Sequence, residues 1–178
     1  MDGVDMYDIN EHRYRFSLWA SARASQRAFT DTKTIICAIK KSELRGKTCN
    51  NKEWSESPMK FDEFHRKICN DLIENLNHEK ATYGRVAKIL AIYLKINFIL
   101  SEDKMIKSVK FIHPPIDRIL LAQLAKEFEK KDKNFSNYCK KIKWTKLNED
   151  EYFELINKLR ENSLDQDSFW CIEKYWNP

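Results

Sequence analysis

The chain has 178 residues, of which 42% are hydrophobic and 12% aromatic, and its formal net charge is +5. A chain of this length and composition can bury one sizeable core, so we expect one helical domain over residues 1–178, with residues 1–57 as an alternative N-terminal helical subdomain. Only three glycines and four prolines are present, and no segment combines β-branched alternation with a hairpin turn such as Asn-Gly. These features favour an all-α, multi-helix fold.

The cysteines and histidines favour a cytoplasmic protein that holds no metal or cofactor. The five cysteines are odd in number, form no CxxC pair and follow a polar N-terminal segment without a signal-peptide pattern, which favours reduced thiols. The four histidines match no zinc-binding spacing. The apolar run near residue 90 is interrupted by lysines and is shorter than the roughly 20 residues that span a bilayer. We therefore expect no membrane partner.

Apolar periodicity, caps and prolines predict helices along the chain. Pro58 and Pro115 suit helix starts, and Asn148 with Glu151 three residues later is typical of a capping box. A polar loop is expected at 45–58, and a polar connection at 101–110. The aromatic C-terminal segment should dock on the core. The predicted helices cover residues 9–28, 32–44, 58–76, 82–99, 115–130, 135–141 and 148–161, with those at 58–76, 82–99 and 115–130 packed together.

The predicted helix 82–99 is apolar on nearly every side, which is typical of a helix buried at the centre of a fold. It nevertheless contains Lys88 and Lys95, which are seven residues apart and therefore lie on the same face. Near a helix end a lysine can extend its ammonium group into solvent. The alternative is that Lys88 lines a cleft, where burial would favour the neutral, nucleophilic amine.

Asp117 is a candidate partner for Lys88. It falls in the first turn of the predicted helix 115–130, where a carboxylate caps free N–H groups, and this capping role alone explains its presence. The sequence His113-Pro114-Pro115 also holds it rigidly. A nucleophilic amine beside a fixed carboxylate can cleave a glycosidic bond, because the carboxylate stabilises cationic sugar character while the amine attacks the anomeric carbon.

A turn, a lysine early in a buried helix and an aspartate after a proline-rich turn, in that order, resemble the helix-hairpin-helix DNA glycosylases, particularly the compact archaeal 8-oxoguanine type. The resemblance covers about residues 75–130. It implies that Lys88 forms a Schiff base with deoxyribose, that Asp117 assists, and that the turn at Gly84 and Arg85 contacts a DNA phosphate. The family hairpin usually has two glycines, whereas this chain has Gly84 alone.

A basic segment indicates a DNA partner. Residues 126–146 contain eight lysines and three acidic residues, so their net charge equals the +5 of the whole chain. Lys140, Lys141 and Lys143 are the predicted contacts to the phosphate backbone. A solvated lysine-rich face remains an equally open interpretation, because charge runs usually have that role.

Aromatic side chains would stack on a base that the enzyme flips out of the duplex. Trp19, Tyr83 and Trp144 are the candidates, and core packing is the alternative role for each. Arg23 and Arg27, one turn apart on the first predicted helix, are open between surface salt bridges and a phosphate or carboxylate ligand.

The sequence therefore favours a DNA-binding helical protein that excises a modified base through Lys88 and Asp117. Two alternatives stay open: a non-enzymatic helical interaction protein, such as a bacterial accessory or defence-associated factor with an unidentified protein partner, and a nucleic-acid-binding module without catalysis. Four segments, YRFSLWASARASQR, YGRVAKILAIYLK, FIHPPID and FWCIEKYW, also resemble a group of uncharacterised bacterial proteins, which implies no activity. The environment of Lys88 distinguishes the alternatives, because a glycosylase needs its amine in an open pocket.

Overall fold

The computed structural model describes residues 7–48, 51–100, 110–162 and 168–178. These ranges contain nine α-helices and no β-strand, so the all-α prediction is confirmed. The predicted polar connection at 101–110 falls almost wholly outside the described residues, as does Cys49. The helices are α1 (Ile9–Ser25), α2 (Thr32–Lys41), α3 (Leu44–Thr48), α4 (Asn51–Trp54), α5 (Pro58–Leu76), α6 (Tyr83–Leu94), α7 (Arg118–Glu127), α8 (Lys133–Lys141) and α9 (Glu149–Glu161). A π-helical turn (Lys95–Ile99) extends α6, and two 3₁₀ helices cover Trp144–Lys146 and Phe169–Tyr175.

Helix α6 is the centre of the fold, as its sequence predicts. Ten of its 12 residues are buried, because a helix that is apolar on every side needs cover on every side. Helices α1, α5 and α9 and the 3₁₀ helix Trp144–Lys146 provide that cover. Leu18 of α1, Trp54 of α4 and Ile172 near the C-terminus belong to the same apolar core as α6. No helix in the described ranges combines the length and apolarity that a bilayer span requires.

Helix α1 packs closely on α6 through small side chains. Ser17, Ser21, Ala22 and Ser25 are buried on this face, and short side chains let two helix backbones approach each other. The hydroxyl groups of Ser17 and Ser21 donate to carbonyl oxygens of the preceding turn of α1 at 2.7 Å, so their burial leaves neither hydroxyl unpaired. The predicted end at residue 28 is wrong, since α1 ends at Ser25 and Ala28 has a φ of 56°.

The boundaries of α5 are confirmed because its caps are local. Ser57 Oγ accepts the N–H of Lys60, Pro58 opens the helix, and Asn77 ends it in the left-handed conformation at φ 42°. By contrast, the predicted polar loop at 45–58 is wrong, because α4 and all but the first residue of α3 form within it. Trp54 explains why this segment is helical, since its ring stacks on Phe64 of α5 with 5.0 Å between the centroids.

Helix α7 begins at Arg118, three residues later than predicted. Pro114 and Pro115 disfavour helical backbone in the residues that precede them, so residues 112–117 form a buried, non-helical segment. Asp117 is consequently the N-cap of α7 and lies outside its first turn. Helix α5 packs against α6 as predicted, whereas α7 packs chiefly against α8 and the C-terminal 3₁₀ helix.

Candidate functional site

The two lysines of the central helix each bind a carboxylate. Lys88 Nζ lies 3.1 Å from Asp117 Oδ2, and the two side chains are only 10% and 12% exposed. Two turns further on, Lys95 Nζ lies 2.7 Å from Glu173 Oε2. The two ammonium groups therefore attach the start of α7 and the C-terminal 3₁₀ helix to the same face of the central helix.

The carboxylate of Asp117 accepts three hydrogen bonds. Its Oδ1 accepts the N–H of Leu120 at 2.9 Å, which is the capping bond of α7. Its Oδ2 accepts both Lys88 Nζ at 3.1 Å and the indole N–H of Trp176 at 3.2 Å. These three hydrogen bonds hold the carboxylate in one orientation. The arrangement fixes Asp117 against Lys88 without requiring a ligand.

Aromatic rings line the surroundings of the Lys88–Asp117 pair. The ring centroid of Trp144 lies 4.9 Å from Lys88 Nζ, a cation–π contact. The indole of Trp176 bonds the partner carboxylate, as described above. Lys88 and Asp117 thus meet as the sequence predicts, but the amine is engaged in a buried ion pair and is not presented in an open cleft.

Gly84 makes the close approach of Trp144 feasible. Its N–H donates to the carbonyl of Leu147 at 3.1 Å, and a Cβ at this position would collide with the carbonyl oxygen of Trp144. Two residues earlier, at the N-cap of α6, Thr82 Oγ1 donates to the carbonyl of Thr145 at 2.9 Å. The amide of Gly84 is therefore already bonded within the protein, which does not support its predicted contact with a phosphate.

Near the Lys95–Glu173 pair, burial raises the pKa of Glu173, and the opposing effect of Lys95 does not fully offset it. The carboxylate of Asp117 acts in the same direction as burial. The two ion pairs are thus close enough for the charge of Asp117 to act on Glu173.

The predicted DNA-contacting lysines belong to a group of exposed lysines. All eight lysines of residues 126–146 are exposed, and we call them the lysine-rich surface. Lys140 is paired with Glu129 at 3.0 Å, and Lys131 is paired with Glu127. The other six form no ion pair with any residue that the structure describes. They are Lys126, Lys130, Lys133, Lys141, Lys143 and Lys146.

A cavity of about 400 Å³ opens beside this surface. Lys141, Lys143 and Lys146 line one part of it. Glu151 and Glu154 of α9 line another, and Glu151 is also the second half of the confirmed capping box with Asn148. Three of the eight lysines thus line a cavity that they share with two carboxylates.

Arg85 does not lie among the predicted lysines, because it faces the end of α1. Its guanidinium group donates to the carbonyl oxygens of Arg27 and Ala28 at 3.5 and 3.4 Å. It also lies over the ring of Phe29, 5.0 Å from the centroid. Arg85 therefore joins the central helix to the turn after α1 while remaining partly exposed.

The three candidate stacking residues have different environments. Tyr83 is only 4% exposed, and its hydroxyl bonds His65, so it is a core residue. Trp144 is partly buried over Lys88. Trp19 is 51% exposed beside Phe16 on the outer face of α1. Of the three, Trp19 offers the most open ring.

A buried chain of polar side chains was not predicted from the sequence. It starts at Asp62, whose carboxylate accepts two hydrogen bonds from Arg160 at 2.7 and 2.8 Å. His113 Nε2 lies 3.0 Å from the same carboxylate, and its Nδ1 lies 3.2 Å from the hydroxyl of Tyr152. The chain continues through His65 to the hydroxyl of Tyr83.

The directions of these hydrogen bonds follow from the carboxylate. We assign the proton of His113 to Nε2, where it faces the carboxylate of Asp62, although Arg160 Nη2 also lies 3.1 Å from this nitrogen. With this assignment Nδ1 accepts from the hydroxyl of Tyr152. Tyr152 in turn accepts from His65 Nε2 at 3.3 Å, and Tyr83 donates to His65 Nδ1 at 3.0 Å. Every member is satisfied with both imidazoles neutral.

Electrostatics reinforce this protonation state. Burial lowers the pKa of His113 to about 4, despite the opposing carboxylate of Asp62, and lowers the pKa of His65 well below its usual value. Burial by itself would raise the pKa of Asp62, but hydrogen bonds from Arg160 and His113 hold it well below its usual value. We therefore assign this hydrogen-bonded network of side chains a role in specifying the core rather than in binding a ligand.

The sequence gives only a weak signal for this hydrogen-bonded network of side chains. His65 lies within the apolar stripe of α5, and His113 precedes two prolines. Neither position indicates which distant residue the histidine bonds. Among the described residues, no three His, Cys, Asp or Glu side chains are arranged to hold a metal ion.

The described parts of the chain thus form an all-α protein with a buried lysine–aspartate pair and an exposed lysine-rich surface. No family model, no curated protein and no solved structure matches the chain.

Proposed function

We propose that this protein binds nucleic acid through its lysine-rich surface and carries out no chemistry at that contact. The observation that supports the proposal is the group of six exposed lysines without an ion pair in the described ranges. Unpaired surface ammonium groups repel one another, so a polyanion that neutralises them is a favourable partner. The phosphate backbone is a polyanion that releases counterions when lysines bind it.

The placement of the lysines suits an extended ligand. They come from the end of α7, the following turn, α8 and the 3₁₀ helix Trp144–Lys146. Helices α7 and α8 pack against each other, so most of these lysines come from neighbouring elements. Ser136 strengthens this junction, since its buried hydroxyl donates to the carbonyl of Ala125 at 2.6 Å. A preformed surface avoids the entropic cost of ordering on binding.

Charge reversal tests this proposal. Lys141→Glu with Lys143→Glu should weaken binding of labelled DNA, measured by fluorescence anisotropy over a range of salt concentrations. The slope of log affinity against log salt should become shallower by about 1 for each lost phosphate contact. The weakening should be similar for different DNA sequences, because phosphate contacts carry no sequence information.

The matched control reverses two exposed lysines elsewhere. Lys40→Glu with Lys41→Glu changes the net charge by the same amount, but these residues lie at the end of α2, which packs on α1, α3 and α5. This variant should retain most of the affinity and most of the salt slope. Equal losses in the two variants would reduce the effect to net charge, and absence of binding at low salt would contradict the proposal.

A second candidate function is DNA glycosylase or lyase chemistry at Lys88. The observation that favours it is the 3.1 Å distance from Lys88 Nζ to Asp117 Oδ2, the pairing that this chemistry requires. In the reaction the ammonium group passes a proton to Asp117, and the free amine then attacks the C1′ aldehyde of an abasic site. Loss of water leaves a Schiff base. The indole of Trp176 must move first, because it bonds the same carboxylate.

Borohydride reduction tests this second function. It should trap a covalent complex between the protein and DNA with an abasic site or a susceptible base. Lys88→Gln should abolish trapping, whereas Lys95→Gln should leave it intact, because Lys95 is two turns or roughly 10 Å further along the helix. Trapping that survives Lys88→Gln would leave binding without chemistry, or a protein-interaction role, as the remaining functions.

A further inference from the structure

The outer face of α1 carries aromatic and basic side chains that the core does not use. Phe16 and Trp19 are 48% and 51% exposed, and their ring centroids lie 5.8 Å apart. Single exposed aromatic residues are normal, but a contacting pair forms an apolar patch in water. The opposite face of α1, with Ser17, Ser21 and Ser25, is buried on α6, so the aromatic pair points away from the core.

Two arginines extend this face toward the end of the helix. Arg23 lies four residues after Trp19, one turn further on, and Arg27 follows in the turn after α1. Both are exposed, and neither forms an ion pair within the described part of the chain. By contrast Glu11, the acidic residue in the first turn of α1, is bound by Arg15 and Arg45. The free charge at the C-terminal half of α1 is therefore positive.

This face is connected to the lysine-rich surface through the start of α6. Arg85 of α6 donates to the carbonyl oxygens of Arg27 and Ala28. Three residues earlier, Thr82 donates to the carbonyl of Thr145, the neighbour of Lys146. The two contacts are thus made by residues one turn apart at the start of α6, so the turn after α1 and the 3₁₀ helix that ends in Lys146 both adjoin this start. We call Lys146, Arg85 and Arg27, which belong to these adjoining segments, the basic track.

We propose that the outer face of α1 binds unpaired bases of a single-stranded nucleic acid whose phosphates follow this basic track. Trp19 and Phe16 supply rings on which bases stack, and Arg23 and Arg27 contact the adjoining phosphates. In a duplex the bases are stacked on one another and their faces are inaccessible. The inference rests on the proposed nucleic-acid binding and adds that single strands are preferred over duplexes.

The pattern of side chains favours this ligand over a lipid surface or a second copy of the chain. A helix that lies on a membrane separates its apolar residues from its charged residues onto two faces. On α1 the exposed aromatic rings and arginines follow one another along the same face. A second copy packed in parallel on the same face would bring Arg23 and Arg27 against like charges, which is unfavourable, and an antiparallel copy is tested by the sedimentation experiment below.

The test compares oligothymidine with a duplex of the same length by fluorescence anisotropy. Trp19→Ala should weaken binding of the single strand roughly tenfold, as expected for loss of one stacked base, and should leave duplex binding within a factor of about two. Trp19→Phe should restore most of the affinity. Met59→Ala is the matched control, because Met59 is 67% exposed on α5, and it should change neither affinity. Thermal unfolding checks that each variant folds.

The outcomes distinguish this inference from the proposed binding of nucleic acid to the lysine-rich surface. Binding of both nucleic acids with equal losses in Trp19→Ala would overturn the inference and leave the lysine-rich surface as the binding site. No binding of either nucleic acid at low salt would overturn both. Sedimentation that shows a dimer broken by Trp19→Ala, or stronger binding to anionic lipid vesicles than to oligothymidine, would also overturn the inference.

Discussion

Gly84 of the central helix and the carbonyl group of Trp144 are in direct contact, and the contact leaves no room for a side chain. A Cβ on Gly84 would overlap the carbonyl oxygen of Trp144 and lie 3.2 Å from the Cβ of Leu147. Both neighbours belong to the segment that places the Trp144 ring over Lys88. The geometry around the buried ion pair therefore depends on the absence of a side chain at residue 84.

The first prediction is that Gly84→Ala destabilises the protein by about 3 kcal/mol, because backbone atoms cannot yield as a flexible side chain does. Gly46→Ala is the control, since a Cβ there has nothing within 4 Å. In a helix this control should be neutral or should stabilise by about 0.5 kcal/mol. Urea unfolding monitored by circular dichroism measures both values. Equal stability of the two variants would contradict the contact.

The second prediction concerns the strength of the Lys88–Asp117 pair. Lys88→Met and Asp117→Asn should each cost about 3 kcal/mol, because each leaves a buried charge without its partner. The double variant should cost at least about 1 kcal/mol less than the sum. Lys140→Met should cost under about 0.5 kcal/mol, because Lys140 and Glu129 are about half exposed or more. Additive costs at Lys88 and Asp117 would mean that the two residues do not interact.

The third prediction uses chemical labelling to measure how accessible the amine of Lys88 is to solvent. In pulse acetylation read out by mass spectrometry, Lys88 should react much more slowly than the exposed Lys141 and Lys143. Trp176→Ala should accelerate acetylation of Lys88, since it removes both the indole ring and a hydrogen bond to Asp117. The rates at Lys141 and Lys143 should stay the same. Rapid acetylation of Lys88 in the unaltered protein would show that the pair is open.

The fourth prediction is a loss of stability in mild acid that His113 and His65 cause. Their folded-state pKa values are lowered, that of His113 to about 4, so the unfolded chain binds protons first as the pH falls from about 6.5. The free energy of unfolding should therefore decrease between about pH 6.5 and pH 4, by up to about 1.4 kcal/mol per pH unit for each histidine. The lowered pKa of Asp62 extends the loss below about pH 4.

His113→Gln tests the origin of this slope. The variant should be less stable than the original protein at pH 7.5, because it disturbs the hydrogen bonds to Asp62 and Tyr152. Its stability should also depend less on pH between 6.5 and 4. His12→Gln is the control, since His12 is exposed on α1, and it should preserve the slope. An unchanged slope in His113→Gln would assign the pH dependence to other groups.

Local signals in the sequence determined the parts of the fold whose partners lie within a few residues. Ser57 and Pro58 begin α5 at the predicted residue, and Asn148 with Glu151 forms the predicted capping box. These caps are local because each joins a side chain to a backbone group three residues away. The apolar character of residues 82–99 likewise predicts a central helix, since such a surface is stable only when it is covered on all sides.

Only the tertiary structure decided which distant residues meet. His113 bonds Tyr152, 39 residues away, and Arg160 bonds Asp62, 98 residues away; no spacing in the sequence encodes either pair. Lys88 and Lys95 illustrate what the sequence determines and what the tertiary structure determines. Their spacing of seven places them on one helix face, but the docking of α7 and of the C-terminal 3₁₀ helix supplies Asp117 and Glu173 as their partners. Packing of the whole core brings those carboxylates within reach, because burying apolar area determines how the helices dock.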